Sequence, residues 1–468
     1  VNIEEVIGRV PDYETFMTID EMDESTRKLA WDYPDVVTVF EAGTSRDGHP
    51  ILGIKVGNGP LNAVCFACPH PNEPIGAMTM EFLSRELAEN AGLREELGFT
   101  WYIIKCIDPD GFRLNEGWIK GPYTIYNYMR HFYRPIGYEQ VEWTFPVDYK
   151  ELHFDNPLPE TQAVMRLIQE KQPAFLYSLH NAGFGGAYWY ISEDMPEIYD
   201  DLRAAAEKQD VALNLGEPEA PFLTEFSPAV FQTMGIAQEY DYVEQNTGET
   251  PVGFNCGTSS GDYASAHAEG CVTLLAELPY FFDARVQDLR LSDTSRRDAV
   301  HANVDRTTLF LTKVDELLQP VRPYITEENR FIKLVNMSLD HMKQGGAAKK
   351  NWADSLPKFQ EAATVAQLFD NVETAAFYNG LSLALSLRAV EFEIERLQHD
   401  GTDSQEALSL LQHARHTASD FLIQHCEELE SRLDYSVIPI QKLVRIQTES
   451  GLIVTKRIHE RSQQEIHN

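Results

Sequence analysis

The sequence predicts an α/β protein, with a mixed central sheet flanked by helices over residues 1–285 and an all-helical domain over 286–468. Three observations carry this expectation. Short apolar runs alternate with amphipathic stretches through the first 285 residues. Beyond them the character changes: between Pro357 and Pro439 there is no proline and there are only two glycines, Gly380 and Gly401. The 468 residues, 43% of them hydrophobic, are enough for two or three domains with their own cores.

Residues 36–40 and 51–56 read as short strands followed by glycine-rich turns. Residues 63–68 and 99–107 are continuous apolar runs, as buried central strands are. Between them, from Glu73 to about Leu97, Ala77, Met80, Phe82 and Leu83 mark the inner face of a helix. Residues 159–172 are helical, with Gln162, Arg166 and Glu170 toward solvent, and 174–179, 187–191 and 272–276 complete the strands. Residues 116–156 show no clear periodicity, and so long an irregular stretch in a compact domain usually forms functional surface. In the C-terminal region Leu383, Leu387, Val390, Ile394 and Leu397 form one helical stripe. Leu411, Ala414, Ala418, Phe421, Cys426, Leu429 and Leu433 form a second, and the turn at 399–404 makes the pair an antiparallel hairpin. Further helices are expected at 305–318 and 327–343, and residues 343–351 (KQGGAAKKN) read as a flexible loop.

Seventy-three acidic residues against 39 basic ones give a formal net charge of −34. That balance argues against binding to a nucleic-acid backbone or an anionic membrane surface. No run approaches the ~18 apolar residues of a membrane span. Residues 1–5 lack the basic start and apolar run of a secretory signal. Several of the six cysteines sit inside apolar runs, which predicts buried free thiols and a cytoplasmic protein. Cys65 and Cys68 share one such run, where residues three apart on a strand face opposite ways, so they read as structural. His413, His416 and His425 read as a solvated helix face.

The sharpest local feature is Cys68-Pro69-His70-Pro71-Asn72-Glu73-Pro74, where a buried strand ends and a helix begins. His70 and Glu73 can converge there on one metal ion, held by the stiffening prolines. A second buried strand ends in His180, before Asn181 and the glycines 183, 185 and 186. Two His and one Glu with an open position make a zinc hydrolase arrangement. A third apolar strand carries Glu277, out of place in a core unless it serves chemistry or an ion pair. It is a candidate general base.

His70-x-x-Glu73, Asp108-Pro109-Asp110-Gly111-Phe112, His180 and Glu277 occur in this order, with 106 residues between Glu73 and His180. Together with Gly43-Thr44-Ser45-Arg46-Asp47-Gly48, this pattern resembles the zinc carboxypeptidases related to carboxypeptidase A. The resemblance covers roughly residues 10–285. It implies one zinc per chain on His70, Glu73 and His180, with Glu277 as the catalytic glutamate. It also implies an arginine that polarises the scissile carbonyl, for which Arg134 is the first candidate and Arg130 the second. Arg113 is a further candidate and could equally support Asp108. Arg113 and Arg130 could also bind a substrate carboxylate from another direction.

The sequence departs from the family at the substrate. Glu142-Trp143 stand where the family carries the Asn-Arg pair that holds a C-terminal carboxylate, and neither can replace a bidentate arginine. Asp262 fits the acidic residue of the specificity pocket, but the eighth residue before it is Phe254 instead of the family's tyrosine, leaving Tyr263 and Tyr242 as substitutes. Asn181 replaces the more usual serine after the third ligand. The expected protein is therefore a zinc-dependent amide hydrolase acting on a small peptide or amide, with Arg130, Asn181 and Asp262 as substrate-binding candidates. The alternatives are a zinc deacylase or esterase on a non-peptide substrate, or a non-catalytic scaffold on the same fold. The helical domain would cover the cleft or build a homo-oligomer.

Overall fold

The computed structural model describes residues 2–220, 222–247, 256–399 and 404–467. Phe254 and residues 400–403 of the expected inter-helix turn lie outside them. The strands in chain order begin with β1 (Val37–Thr44), β2 (Pro50–Val56), β3 (Leu61–Ala67) and β4 (Phe99–Ile104). A small separate hairpin, β5 (Val147–Tyr149) and β6 (Leu152–Phe154), sits in the stretch without periodicity, together with the short helices Glu116–Ile119 and Ile125–His131. There follow β7 (Phe175–Phe184), β8 (Tyr188–Ile191), β9 (Glu225–Ser227), β10 (Val230–Gln232) and β11 (Val272–Asp283). The C-terminal region adds β12 (Leu291–Ser295), paired with β13 (Ala362–Thr364), and β14 (Tyr435–Val437).

Ten strands form the main sheet in the order β1-β2-β4-β3-β7-β11-β8-β10-β9, with β14 paired to β11. The sheet is mixed. β4, β3, β7 and β11 run parallel to their neighbours in that series, while β1, β2 and β8 pair antiparallel. β3 and β7 are buried almost throughout, which is why they read as unbroken apolar runs. The sheet register sets Glu277 of β11 directly opposite His180 of β7. The turn after β3 lies at the same end of the parallel strands, where open α/β sheets gather their ligand sites.

The helix expected from Glu73 to Leu97 is two helices, Ile75–Glu89 and Ala91–Leu97, broken where Asn90 leaves helical geometry and its side chain caps the second. Gly76 lets the first lie close on the sheet: a Cβ there would stand 2.6 Å from that of Leu179.

The hairpin helices are Ala375–His399 and Gln405–Arg432, packed antiparallel as the stripes predict. His413 and His416 are exposed, but His425 is buried and its ring donates to the Ala376 carbonyl at 3.0 Å, correcting the solvated reading. The loop expected at 343–351 is instead inside the continuous helix Arg330–Ser355. Tertiary packing overrides the weak helix propensity of two adjacent glycines. The helix Ile440–His467, which the sequence did not announce, lies on the main sheet and on helix Ile75–Glu89. Gly451 permits the approach, since a Cβ there would stand 2.9 Å from the Tyr177 ring. Among the described residues no helix is long and apolar enough to cross a membrane.

Candidate metal centre

β3 ends at Ala67, and Cys68 turns the chain with a left-handed φ of 56°. For a residue with a Cβ this costs roughly 1–2 kcal/mol. The Cys68 thiol donates to the Glu73 carbonyl at 3.5 Å and pins the turn from inside. On that turn, His70 Nδ1 lies 3.0 Å from Glu73 Oε1 and 3.2 Å from His180 Nδ1. Glu73 Oε2 lies 3.2 Å from His180 Nδ1. His70, Glu73 and His180 are 6%, 1% and 2% exposed, so three ligand-type atoms converge away from bulk water.

This donor set fits zinc. Two imidazole nitrogens and one carboxylate oxygen are ligands it readily takes. Glu73 Oε2 is buried without a hydrogen bond, and the two Nδ1 atoms face each other, so a shared cation would satisfy all three atoms. The fields around the triad differ. Burial and the Arg134 charge push His70 down to about 4. Burial also opposes a charge on His180, but hydrogen bonds to Glu142 and Glu73 and the nearby Glu277 outweigh it and hold its pKa well above the ordinary value.

Glu142 is the residue the sequence reading misplaced. It is buried beneath His180, with Oε1 3.4 Å from the ring Nε2. It accepts hydrogen bonds from Ser178 Oγ at 2.5 Å, Ser260 N at 2.8 Å and Ser260 Oγ at 2.9 Å. Burial works against its charge, but bonding to His180, Ser178 and Ser260 wins and brings its pKa down to about 2. A carboxylate behind a ligating histidine fixes its tautomer and raises its basicity. Residues 116–156 carry no pattern that would signal this role.

Glu277 Oε1 sits 3.7 Å from His180 Nδ1. Burial, together with Glu73 and Glu219, raises its pKa well above the ordinary carboxylate range against the opposing charges of His180 and Arg134. Arg134 reaches the site, donating to Glu73 Oε1 at 3.1 Å and Gln140 Oε1 at 3.3 Å. All these groups line one cavity of about 640 Å³. The other wall comes from the C-terminal region, through Asn303, Lys349, Trp352, Asp370, Tyr378 and their neighbours.

The remaining candidates are dispersed. Asn181 lines the cavity, but its Oδ1 accepts from Ile75 N and Tyr280 OH, both at 3.1 Å, so it holds the first turn of helix Ile75–Glu89. Asp262 is bonded to Thr258 Oγ1 at 2.5 Å and Arg130 to Glu391 at 2.7 Å; neither is in the cavity lining. Tyr242 and Tyr263 do not line it either. Arg113 pairs with Asp20 at 2.7 Å, and Asp108 is supported by Arg46 at 3.5 Å instead. Ser45 of the Gly-x-Ser-x-x-Gly hairpin donates to Asp110 at 2.8 Å, so two of the sequence motifs touch. Sequence reasoning did not find Glu219, which accepts from the hydroxyls of Tyr188 at 2.5 Å and Tyr190 at 2.6 Å, nor Tyr378 or Lys349.

Residues 22–247 match the family model for zinc carboxypeptidase. Carboxypeptidase B of Astacus astacus is 24% identical over 106 residues, 22% of this chain and 35% of that protein. Zinc carboxypeptidase A 1 of Anopheles gambiae is 28% identical over 118 residues, 23% and 27% of the two chains. The chain thus spans about a third or less of the length of these curated relatives. The crystal structure of carboxypeptidase A from Helicoverpa armigera aligns with a TM-score of 0.37 and 15% identity over 59% of this chain and 69% of that one. Residues 22–247, which hold the His-Glu-His triad, are thus similar to the zinc carboxypeptidase family, distantly to carboxypeptidases A and B.

Proposed function

We propose that the protein is a zinc-dependent hydrolase of amide bonds, acting on a small peptide or amide in the cavity between the sheet and the C-terminal helices. The observation that carries this reading is the placement of Glu277 beside the triad, 3.7 Å from His180 Nδ1, in a cavity that can admit a substrate. Zinc bound at the triad would supply a Lewis acid and acidify a water. Glu277 would take the proton of that water and return it to the leaving nitrogen as the carbon–nitrogen bond breaks. Arg134 would set positive charge beside the carbonyl oxygen as it becomes negative. The wall formed by the C-terminal region favours short substrates and keeps a small-molecule deacylase as the second reading. The six free thiols support a reducing compartment, which we take to be the cytoplasm.

The test is Glu277→Gln on the zinc-loaded chain, assayed against dipeptides, N-acyl amino acids and esters, with zinc measured by elemental analysis. The expected result is about one zinc per chain in both proteins and a loss of at least a thousandfold in turnover in the variant. Undiminished turnover overturns the role of Glu277. A chain that takes up no zinc overturns the hydrolase.

A further inference from the structure

A second cavity, of about 440 Å³, lies where the C-terminal helices meet the first 285 residues. No residue lines both it and the metal cavity. One wall is the turn between β1 and β2, with Arg46 and Asp47, beside Asp110 and Tyr133. The other is the start of helix Arg330–Ser355, with Arg330 and Lys333. Each cation in this lining already has its anion. Arg330 donates to Asp47 Oδ2 at 2.9 Å and Oδ1 at 3.2 Å. Lys333 lies 2.6 Å from Glu139 Oε1. Arg46 lies 3.1 Å from Glu160 and 3.5 Å from Asp108.

Two buried polar groups of the lining have no such match. Asp110 is 8% exposed and accepts from Ser45 Oγ and Asp47 N, both at 2.8 Å. Among the described residues no cation pairs with it. Two neutral donors orient the carboxylate but leave its charge uncompensated, which burial makes costly. Tyr133 is 4% exposed, and among the described residues its hydroxyl has no hydrogen bond. The hydroxyl is not sealed in the core, so it opens on the cavity that Tyr133 lines. Burial, and then the charge of Asp108, raise its pKa, so it remains a neutral phenol whose oxygen can accept. The surrounding charge sets the sign of a ligand. Five carboxylates line the cavity against three cations. Beside Arg46, Asp108 Oδ2 and Glu160 Oε2 are buried without partners. This excess of negative charge favours a cation.

We propose that this junction cavity is a second ligand site, for a small organic amine whose N–H donors meet the Asp110 carboxylate and the Tyr133 hydroxyl oxygen. The site depends neither on the metal nor on the hydrolase reading. An ammonium compensates the buried charge of Asp110 and makes charge-assisted hydrogen bonds with it. Ser45 fixes the carboxylate that receives it. The volume admits a short carbon chain as well, and the exposed Glu327 and Glu328 add negative charge for a second amino group. Tyr133 and Arg134 are consecutive, yet one lines the junction cavity and the other the metal cavity. The amine would therefore bind one residue away from a group of the metal site.

The probe is 1,4-diaminobutane, with 1,4-butanediol and succinate as its neutral and anionic counterparts, titrated calorimetrically into the zinc-loaded full-length chain. The expected result is one diamine per chain, bound about tenfold or more tightly than either counterpart. Asp110→Asn should lose about tenfold or more of diamine affinity, and Tyr133→Phe about threefold or more. Glu277→Gln changes a carboxylate of the metal cavity and should leave diamine affinity as it is. Tyr133→Phe deletes a single oxygen and decides the matter alone if Asp110→Asn does not fold. A chain with no preference for the diamine overturns the proposal, as does a preference that Tyr133→Phe leaves intact. A loss confined to Glu277→Gln puts the amine in the metal cavity and overturns it too. None of these outcomes turns on whether the chain hydrolyses an amide.

Discussion

Glu142 Oε1 lies 3.4 Å from His180 Nε2, across the imidazole from the nitrogen that faces Glu73. The ring is thus held between two buried carboxylates. His70 has no counterpart, since its Nε2 is buried without a partner. The support of the metal site is therefore one-sided, and His180 is the ligand whose orientation the protein controls more tightly.

Glu142→Gln should weaken zinc binding by about 10–100-fold, the usual effect of removing a partner behind a ligating histidine. The amide keeps the size of the side chain and can still accept from Ser260. Competition with a chromophoric chelator at pH 7 would measure the change. An affinity within twofold of the parent would show that the carboxylate only fills space.

Gln447 ties the last helix to the strands of the site. Its Nε2 donates to the carbonyls of His180 at 3.0 Å and Ala276 at 3.3 Å, and its Oε1 accepts from Thr79 Oγ1 at 2.8 Å. Gln447→Leu removes the donors and acceptor at similar volume, at a cost of about 1–3 kcal/mol. A lower denaturation midpoint at unchanged slope is the expected signature. An unchanged midpoint would refute the linkage.

Asp370 predicts a pH dependence of stability. Burial raises its pKa from 3.8 to about 7, against the hydrogen bonds from Glu217 N and Thr374. The folded state then holds a proton that the unfolded state releases near pH 4. The stabilisation is complete below that pH and is lost as pH rises through about 7. Over this interval the group accounts for at most about 4 kcal/mol. Asp370→Asn should flatten the decline, so that its stability relative to the parent rises between pH 4 and 8. Denaturant titrations at several pH values would show it, and parallel curves for the two proteins would rule it out.

The sequence announced the triad and Glu277 and left their surroundings unread, for a physical reason. His70 and Glu73 stand on the turn after β3, while His180 and Glu277 face each other inside β7 and β11, and each is a polar residue that breaks an otherwise uniform apolar pattern. Glu142 does its work from a segment without periodicity, and its partners Ser178 and Ser260 lie 36 and 118 residues away. Helix Ile440–His467 hid because Gln447, Thr448, Glu449 and Ser450 are all buried, so no clean apolar stripe marks its inner face. Lys349 sits in a stretch whose glycines spelled a loop, and only the packing of helix Arg330–Ser355 against its neighbours brings it to the cavity.

The contact between Gln447 and His180 joins residues 267 positions apart, and it orders events during synthesis. A nascent chain that has emerged as far as Glu277 already contains every group of the triad and the carboxylate beside it. It still lacks the helix that packs on Tyr177 and bonds to the middle of β7 and β11. Until residues 440–467 leave the ribosome, that apolar face of the sheet is uncovered and exposed to wrong partners. Completion of the metal centre is thereby coupled to synthesis of the helix Ile440–His467, and a chain cut short before residue 440 would carry the triad on a scaffold missing one wall.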